Sequence, residues 1–268
     1  MLKELCLFFK DIYQNRKLLV QFSLNDFKSR YAGSMFGIIW AFVNPLVMVC
    51  TYSFVFSHLK AAPAQGFPFV LYLITGIVPW FFFSDVLSTA TGVFREYSYL
   101  VKKVVFNIRI LPTAKLLSNL YTHFFFLAVA FVLSIAYGFF PTLQTLQLIY
   151  YLFCLAMFLT GLTWITASIQ PFFSDISQLI GVVMQALMWT VPVLWSPEIF
   201  ASSPWIVKIL KLNPLYYVIS GYRDSFLSQG WFWQHWAQTV YFWVITIALL
   251  LVGSLIFKKL KPHFSDVL

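Results

Sequence analysis

Six apolar runs, each about long enough to cross the roughly 30 Å hydrocarbon core of a bilayer, decide what this chain can fold into. They cover Met35–Leu59, Phe67–Thr89, Leu116–Tyr137, Leu146–Ile169, Ile176–Trp195 and Trp236–Phe257. Backbone polar groups in hydrocarbon must be satisfied within their own segment, so runs of this length fold as helices. Soluble domains usually carry about 25% charged residues; here the share is 10%, against 60% hydrophobic. The sequence predicts an all-α polytopic membrane protein with six transmembrane helices. Residues 35–268 would form the membrane domain and residues 1–34 an amphipathic helix lying in the cytoplasmic interface.

Eighteen Lys and Arg against nine Asp and Glu give a net charge of +9. Most of these cations fall in residues 1–34, in the connection 90–115 and in the C-terminal tail; Lys60, Lys208, Lys211 and Arg223 fall on the other side. The positive-inside rule then places both termini on the cytoplasmic face of the plasma (inner) membrane. No basic face separates from the spans, which argues against nucleic acid as a partner. Cys6, Cys50 and Cys154 stand far apart and offer no metal-ligand spacing, so no metal site is expected. No Gly-x4-Gly-Lys-[Ser/Thr] occurs, so the chain has no Walker A loop and no cofactor of its own is expected. If ATP drives this protein, another polypeptide binds it.

Three segments outside the spans carry a pattern. Val20, Leu24, Phe27 and Tyr31 fall on one helical stripe flanked by Lys28 and Arg30, as in a helix lying at a membrane surface. Glu96–Pro112 is too basic for hydrocarbon and too apolar for a free loop. It suits a short helix presenting Lys102, Lys103 and Arg109, with Pro112 opening the next helix. Ala201–Trp236 is apolar but punctuated by Pro204, Asn213-Pro214, Gly221 and Gly230, which favours two short outer helices, surface-lying or partly re-entrant, over one span. At membrane depth, Asp85 and His123 are the ionisable residues to account for, Asp175 being expected at the surface in the connection after Pro171; SDVLS at 84–88 is alternatively the end of a shortened second span, with Ser84 or Asp85 capping the next helix. No polar cluster points to a catalytic site.

With these segments in view, the chain resembles the permease subunits of type-2 ABC exporters that move lipid-linked polysaccharides, the O-antigen, capsule and teichoic-acid group. The resemblance rests on KSRYAGSMFGIIWAFVNPL at 28–46, LVKKVVFNIRILP at 100–112 and LNPLYYVISGYRDSFLSQG at 212–230. Where the family often has Phe-Pro in the second block, this chain reads Phe106-Asn107. The resemblance implies a second copy of the chain as partner, with two cytoplasmic ABC ATPase subunits that bind ATP and Mg. The substrate would be a polyprenyl-diphosphate-linked polymer met in membrane lipid. A coupling helix would present Tyr97, Leu100, Lys102, Lys103, Phe106 and Arg109 to the ATPase. Lys28 and Arg30, with Tyr31 and Trp40, are the expected entrance for diphosphate and sugar. An exporter of drugs or small lipids, or a membrane enzyme of lipid-linked glycans, are the alternatives.

Overall fold

The computed structural model describes residues 2–58, 67–102, 107–200 and 202–268, and no strand occurs among them. Helices α1 (Leu2–Gln14) and α2 (Arg16–Ser29) precede the first long helix, α3 (Trp40–His58). Then come α4 (Phe69–Thr91), the one-turn α5 (Val93–Glu96) and α6 (Ser98–Val101), and α7 (Leu111–Ala136). The chain continues with α8 (Gln147–Ile169), α9 (Ile176–Thr190), α10 (Pro204–Leu210), α11 (Pro214–Leu227), α12 (Trp236–Leu260) and the final turn α13 (Phe264–Val267).

Five of these, α3, α4, α7, α8 and α12, are long and apolar enough to cross a membrane. The remaining expected span is the 15-residue α9, about 22 Å long, and it stops well before Trp195. The stop is local: Val191 precedes Pro192 and is extended (φ −92°, ψ 139°), because the proline ring disfavours helical backbone in the residue before it. Val191, Val193 and Leu194 then run on buried in non-helical conformation.

Helix α4 is the axis of the protein. Most of its residues are buried, and it packs against α3, α7, α8, α9 and α11. Helix α12 lies along α8. Their backbones meet at Gly161 and Gly253: a Cβ on Gly161 would lie 2.9 Å from the Leu249 Cβ, and one on Gly253 would lie 2.9 Å from the Gly161 carbonyl oxygen. Small residues are what permit such approach between membrane helices.

At the end where most of the cations gather, here the basic end, α1 and α2 fold back onto the spans. Helix α2 packs on α7, and Leu19 is buried beside Ile110 and Ala114. The expected stripe is rotated: Leu19, Ser23, Asp26 and Phe27 are buried, while Val20 and Leu24 point outward. The helix also ends at Ser29, so Tyr31 sits in the turn that follows, where Gly33 and Gly37 adopt positive φ.

The basic connection is not one helix. Tyr97, at φ −106° and ψ 35°, separates α5 from α6, and a 3₁₀ turn at Ile108–Ile110 leads into α7 with Pro112 in its first turn. Val93, Phe94, Val101, Ile108 and Leu111 are covered by Ala167, Phe257 and Phe264 of the same chain. Lys103 and Phe106 lie outside the described residues. At the opposite end, α10 and α11 each begin on a proline, and the Asn213 side chain accepts the Leu215 N–H at 3.0 Å.

Gly161→Val is expected to separate α8 from α12 and cost about 1–3 kcal/mol. A lower unfolding temperature of the detergent-purified protein, with Gly161→Ala less affected, would register it.

Candidate functional site

Asp26 is where three elements meet. Its carboxylate is 1% exposed and lies on the α2 face turned to α7. One oxygen accepts a hydrogen bond from Lys115 Nζ of α7 at 2.5 Å and another from the Tyr97 hydroxyl at 2.6 Å. The second oxygen accepts from Arg30 Nη2 at 2.8 Å, one helical turn along. Lys115, itself 2% exposed, also pairs with the Glu96 carboxylate of α5 at 2.8 Å. Two cations thus face two carboxylates across α2, α5 and α7.

Burial alone would push the Asp26 carboxyl up, but the hydrogen bonds from Lys115 and Tyr97 outweigh it and hold the group at about 2. Burial and the hydrogen bond to Asp26 push the Tyr97 hydroxyl well above its usual range. The joint is therefore charged on Asp26 and neutral on Tyr97 throughout the physiological range.

Arg30 extends the network to the membrane side. Its Nη1 donates to Asn119 Oδ1 at 2.7 Å and its Nη2 to the Ser118 hydroxyl at 3.0 Å. Asn119 Nδ2 donates in turn to the Thr89 hydroxyl at 3.0 Å, and Thr89 to the Asp85 carbonyl at 2.6 Å. Arg30 is thus tied to α7 and, through Asn119, to α4, while its side chain stays 21% exposed. Lys28 is exposed, Tyr31 is half-buried with its ring 5.8 Å from that of Phe27, and Trp40 is 39% exposed at the start of α3.

Among the residues expected to face an ATPase, Tyr97 turns inward to Asp26. Leu100 packs on the Phe94–Phe257–Phe264 cluster. Lys102 is exposed beside the exposed Tyr99. Arg109 lies 3.6 Å from the Asp11 carboxylate and so fixes α1 against the turn before α7.

Of the ionisable residues expected at membrane depth, His123 is buried and shares a hydrogen bond of 3.1 Å with the Tyr222 hydroxyl of α11. Asp175 is exposed in the connection before α9. Asp85 is no cap, because α4 continues through it to Thr91. Arg223, counted above with the outer cations, is buried: its guanidinium lies 3.6 Å from the Tyr72 ring centroid and donates to the Tyr72 and Val193 carbonyls.

Three neighbouring apolar helices leave polar side chains uncovered along their length. Asn44 and Thr51 are exposed on α3, Gln178 and Gln185 on α9, and Asp85 and Ser88 on α4, which packs against both. Seven residues is close to two helical turns, so each of the first two pairs shares a face. Only 11% of the α3 span is buried, and on α9 only Met184 is fully buried.

The chain belongs to the ABC-2 type transporter family, whose sequence profile matches residues 18–227. It is 26% identical over 261 residues to the O-antigen export system permease protein RfbA of Myxococcus xanthus, covering 96% of this chain and 97% of that one. It is 27% identical over 253 residues to a protein of the same name from Klebsiella pneumoniae, covering 94% and 95%. The polysialic acid transport protein KpsM of Escherichia coli is 18% identical over 240 residues, covering 88% and 90%. The matched region contains Asp26, Arg30, Glu96, Tyr97 and Lys115, together with the three uncovered polar faces.

Sequence reading alone missed Asp26, Glu96, Lys115, Ser118 and Asn119. One signal was available, since Asp26 and Arg30 stand four residues apart on a helix, the spacing of an ion pair.

Removing one partner of a buried charge pair costs about 3–5 kcal/mol, whereas replacing the whole pair by apolar groups is far cheaper. Asp26→Asn is therefore expected to lower the unfolding temperature of the purified protein markedly, and Asp26→Leu with Lys115→Met to recover most of the loss. Because the Asp26 carboxyl is depressed from its free value of about 3.9, its contribution is complete above that value and lost only as pH falls towards about 2. Unfolding measured between pH 5 and 8 should show no dependence assignable to this group.

Proposed function

We propose that this chain is the membrane-spanning permease of an ATP-driven exporter that carries a polyprenyl-diphosphate-linked surface polysaccharide, of the O-antigen, capsule or teichoic-acid kind, out of the cytoplasm. The observation that carries the reading is the match to polysaccharide-export permeases along nearly the whole length of both chains. The geometry agrees with it. Hydrocarbon excludes a diphosphate and a hydrophilic glycan because burying their charges and hydroxyls is costly. Asn44, Gln178, Gln185 and Asp85, uncovered on adjacent helices, would be equally costly against lipid. In this reading two copies of the chain face each other across α3, α4 and α9, and the polar faces line the path between them.

Six crossings, with α9 the short one, put both termini in the cytoplasm together with the basic end. There Lys28, Tyr31 and Trp40 stand open to a lipid-linked substrate, with Arg30 behind them. Helices α10 and α11 are the re-entrant pair at the outer face. Among the described residues of the coupling segment, Tyr99 and Lys102 are the exposed side chains that an ATPase subunit meets. A push on α6 reaches α5 through Tyr97 and from there passes to α2 and α7 through Asp26 and Lys115, as near-rigid bodies.

Co-expression with a cognate ATPase, in cells lacking their own polysaccharide-export permease, tests the reading. Surface polymer is expected to return with wild-type chain and to be absent when either subunit is omitted; export by the chain alone would reject it. Lys102→Ala combined with Lys103→Ala is expected to abolish export and to reduce the amount of ATPase that co-purifies with the permease.

A further inference from the structure

Asp85 is an acidic side chain in the last third of the long apolar helix α4. Six residues separate it from the end of α4 at Thr91, so it lies about 9 Å inside that end. The residue is exposed on the protomer surface, and its carboxylate feels the charge of Arg30 without a hydrogen bond or ion pair among the described residues. A carboxylate at this depth is not left against lipid; it faces water, a partner or a ligand.

Its surroundings select among these. Ser84 is half-buried beside it and Ser88 is exposed one turn on, so two hydroxyls flank the carboxylate on α4. Thr89, one turn beyond Asp85 and bonded to its backbone carbonyl, joins Asn119 and through it Arg30, and the Asp85 carboxylate lies within electrostatic reach of both Arg30 and Tyr31. One small region therefore holds a guanidinium fixed by three acceptors, an aromatic ring, a free carboxylate and serine hydroxyls. A pure anion site would not include Asp85. A carboxylate accepts only, and its natural complement is a ligand rich in hydroxyl donors.

We propose that Asp85 lines the hydrated entrance of the path and accepts hydrogen bonds from sugar hydroxyls of the glycan nearest the diphosphate, while Arg30 and Tyr31 hold the neighbouring phosphate and sugar face. This rests on the polysaccharide-export reading and assigns it a saccharide contact. The contact discriminates by hydroxyl pattern, since losing one hydroxyl leaves the carboxylate without its partner. It also assigns α4, between α3 and α9, to the substrate side of the assembled transporter.

The test uses the full permease–ATPase complex in inside-out membrane vesicles, with Cys6, Cys50 and Cys154 replaced and Asp85→Cys introduced. A membrane-impermeant, charged methanethiosulfonate is expected to label this cysteine, and added lipid-linked glycan to slow labelling several-fold. Labelling only by a lipid-soluble maleimide, or no labelling because a second copy covers the position, would overturn the proposal. In parallel, Asp85→Asn is expected to raise about tenfold the concentration of lipid-linked glycan that half-stimulates ATP hydrolysis, the loss of a charge-assisted hydrogen bond, with Asp85→Glu falling between. An unchanged requirement, or labelling that glycan leaves untouched, would reject the saccharide contact. Wild-type complex that exports polymer while these variants behave so would leave the exporter reading intact and refute the Asp85 assignment alone.

Discussion

A carboxylate and an ammonium group, both almost wholly removed from water, hold the basic end of this protein together. Burying either alone costs several kcal/mol, and burying both is tolerable only with further hydrogen bonds. Asp26 and Lys115 obtain them from Arg30, one turn beyond Asp26, and from the neighbouring Glu96 and Tyr97 at the end of α5. The cost of separation is what gives the joint its stiffness. Helix α2 is consequently not a loose surface anchor: it is tied to α7, and the turn between α5 and α6 is tied to both.

The rest of the fold divides around α4. On one side, α8, α11 and α12 pack tightly, with glycine contacts between α8 and α12 and the Arg223–Tyr72 stack pinning α11. On the other, α3 and α9 are thinly covered and carry amides and hydroxyls outward. The dense side has the character of a scaffold. The open side leaves polar side chains exposed on α3 and α9, and α4 joins the two sides.

Much of this was legible in the sequence. Hydropathy found the helices that became α3, α4, α7, α8 and α12, because a run of such length in hydrocarbon has one solution. Pro112 marked a helix start, and Pro204 and Pro214, which broke up the outer segment, also open helices, since each lacks an N–H that the first turn does not need. The phase of α2 was not legible: Val20 and Leu24 look like a buried stripe, yet Asp26 is the residue that tertiary pairing draws inward. Lys115 read as a loop cation for the same reason, because its partners lie 19 and 89 positions away in sequence. The fifth span was overextended because Val191–Trp195 is apolar, and hydropathy does not register the backbone restriction imposed by Pro192.

The charges at the joint also sum to zero. Asp26 and Glu96 balance Arg30 and Lys115. Carrying a unit charge through an energised membrane involves about 2.3 kcal/mol per 100 mV, but a cluster of no net charge that shifts as one body does almost no electrical work.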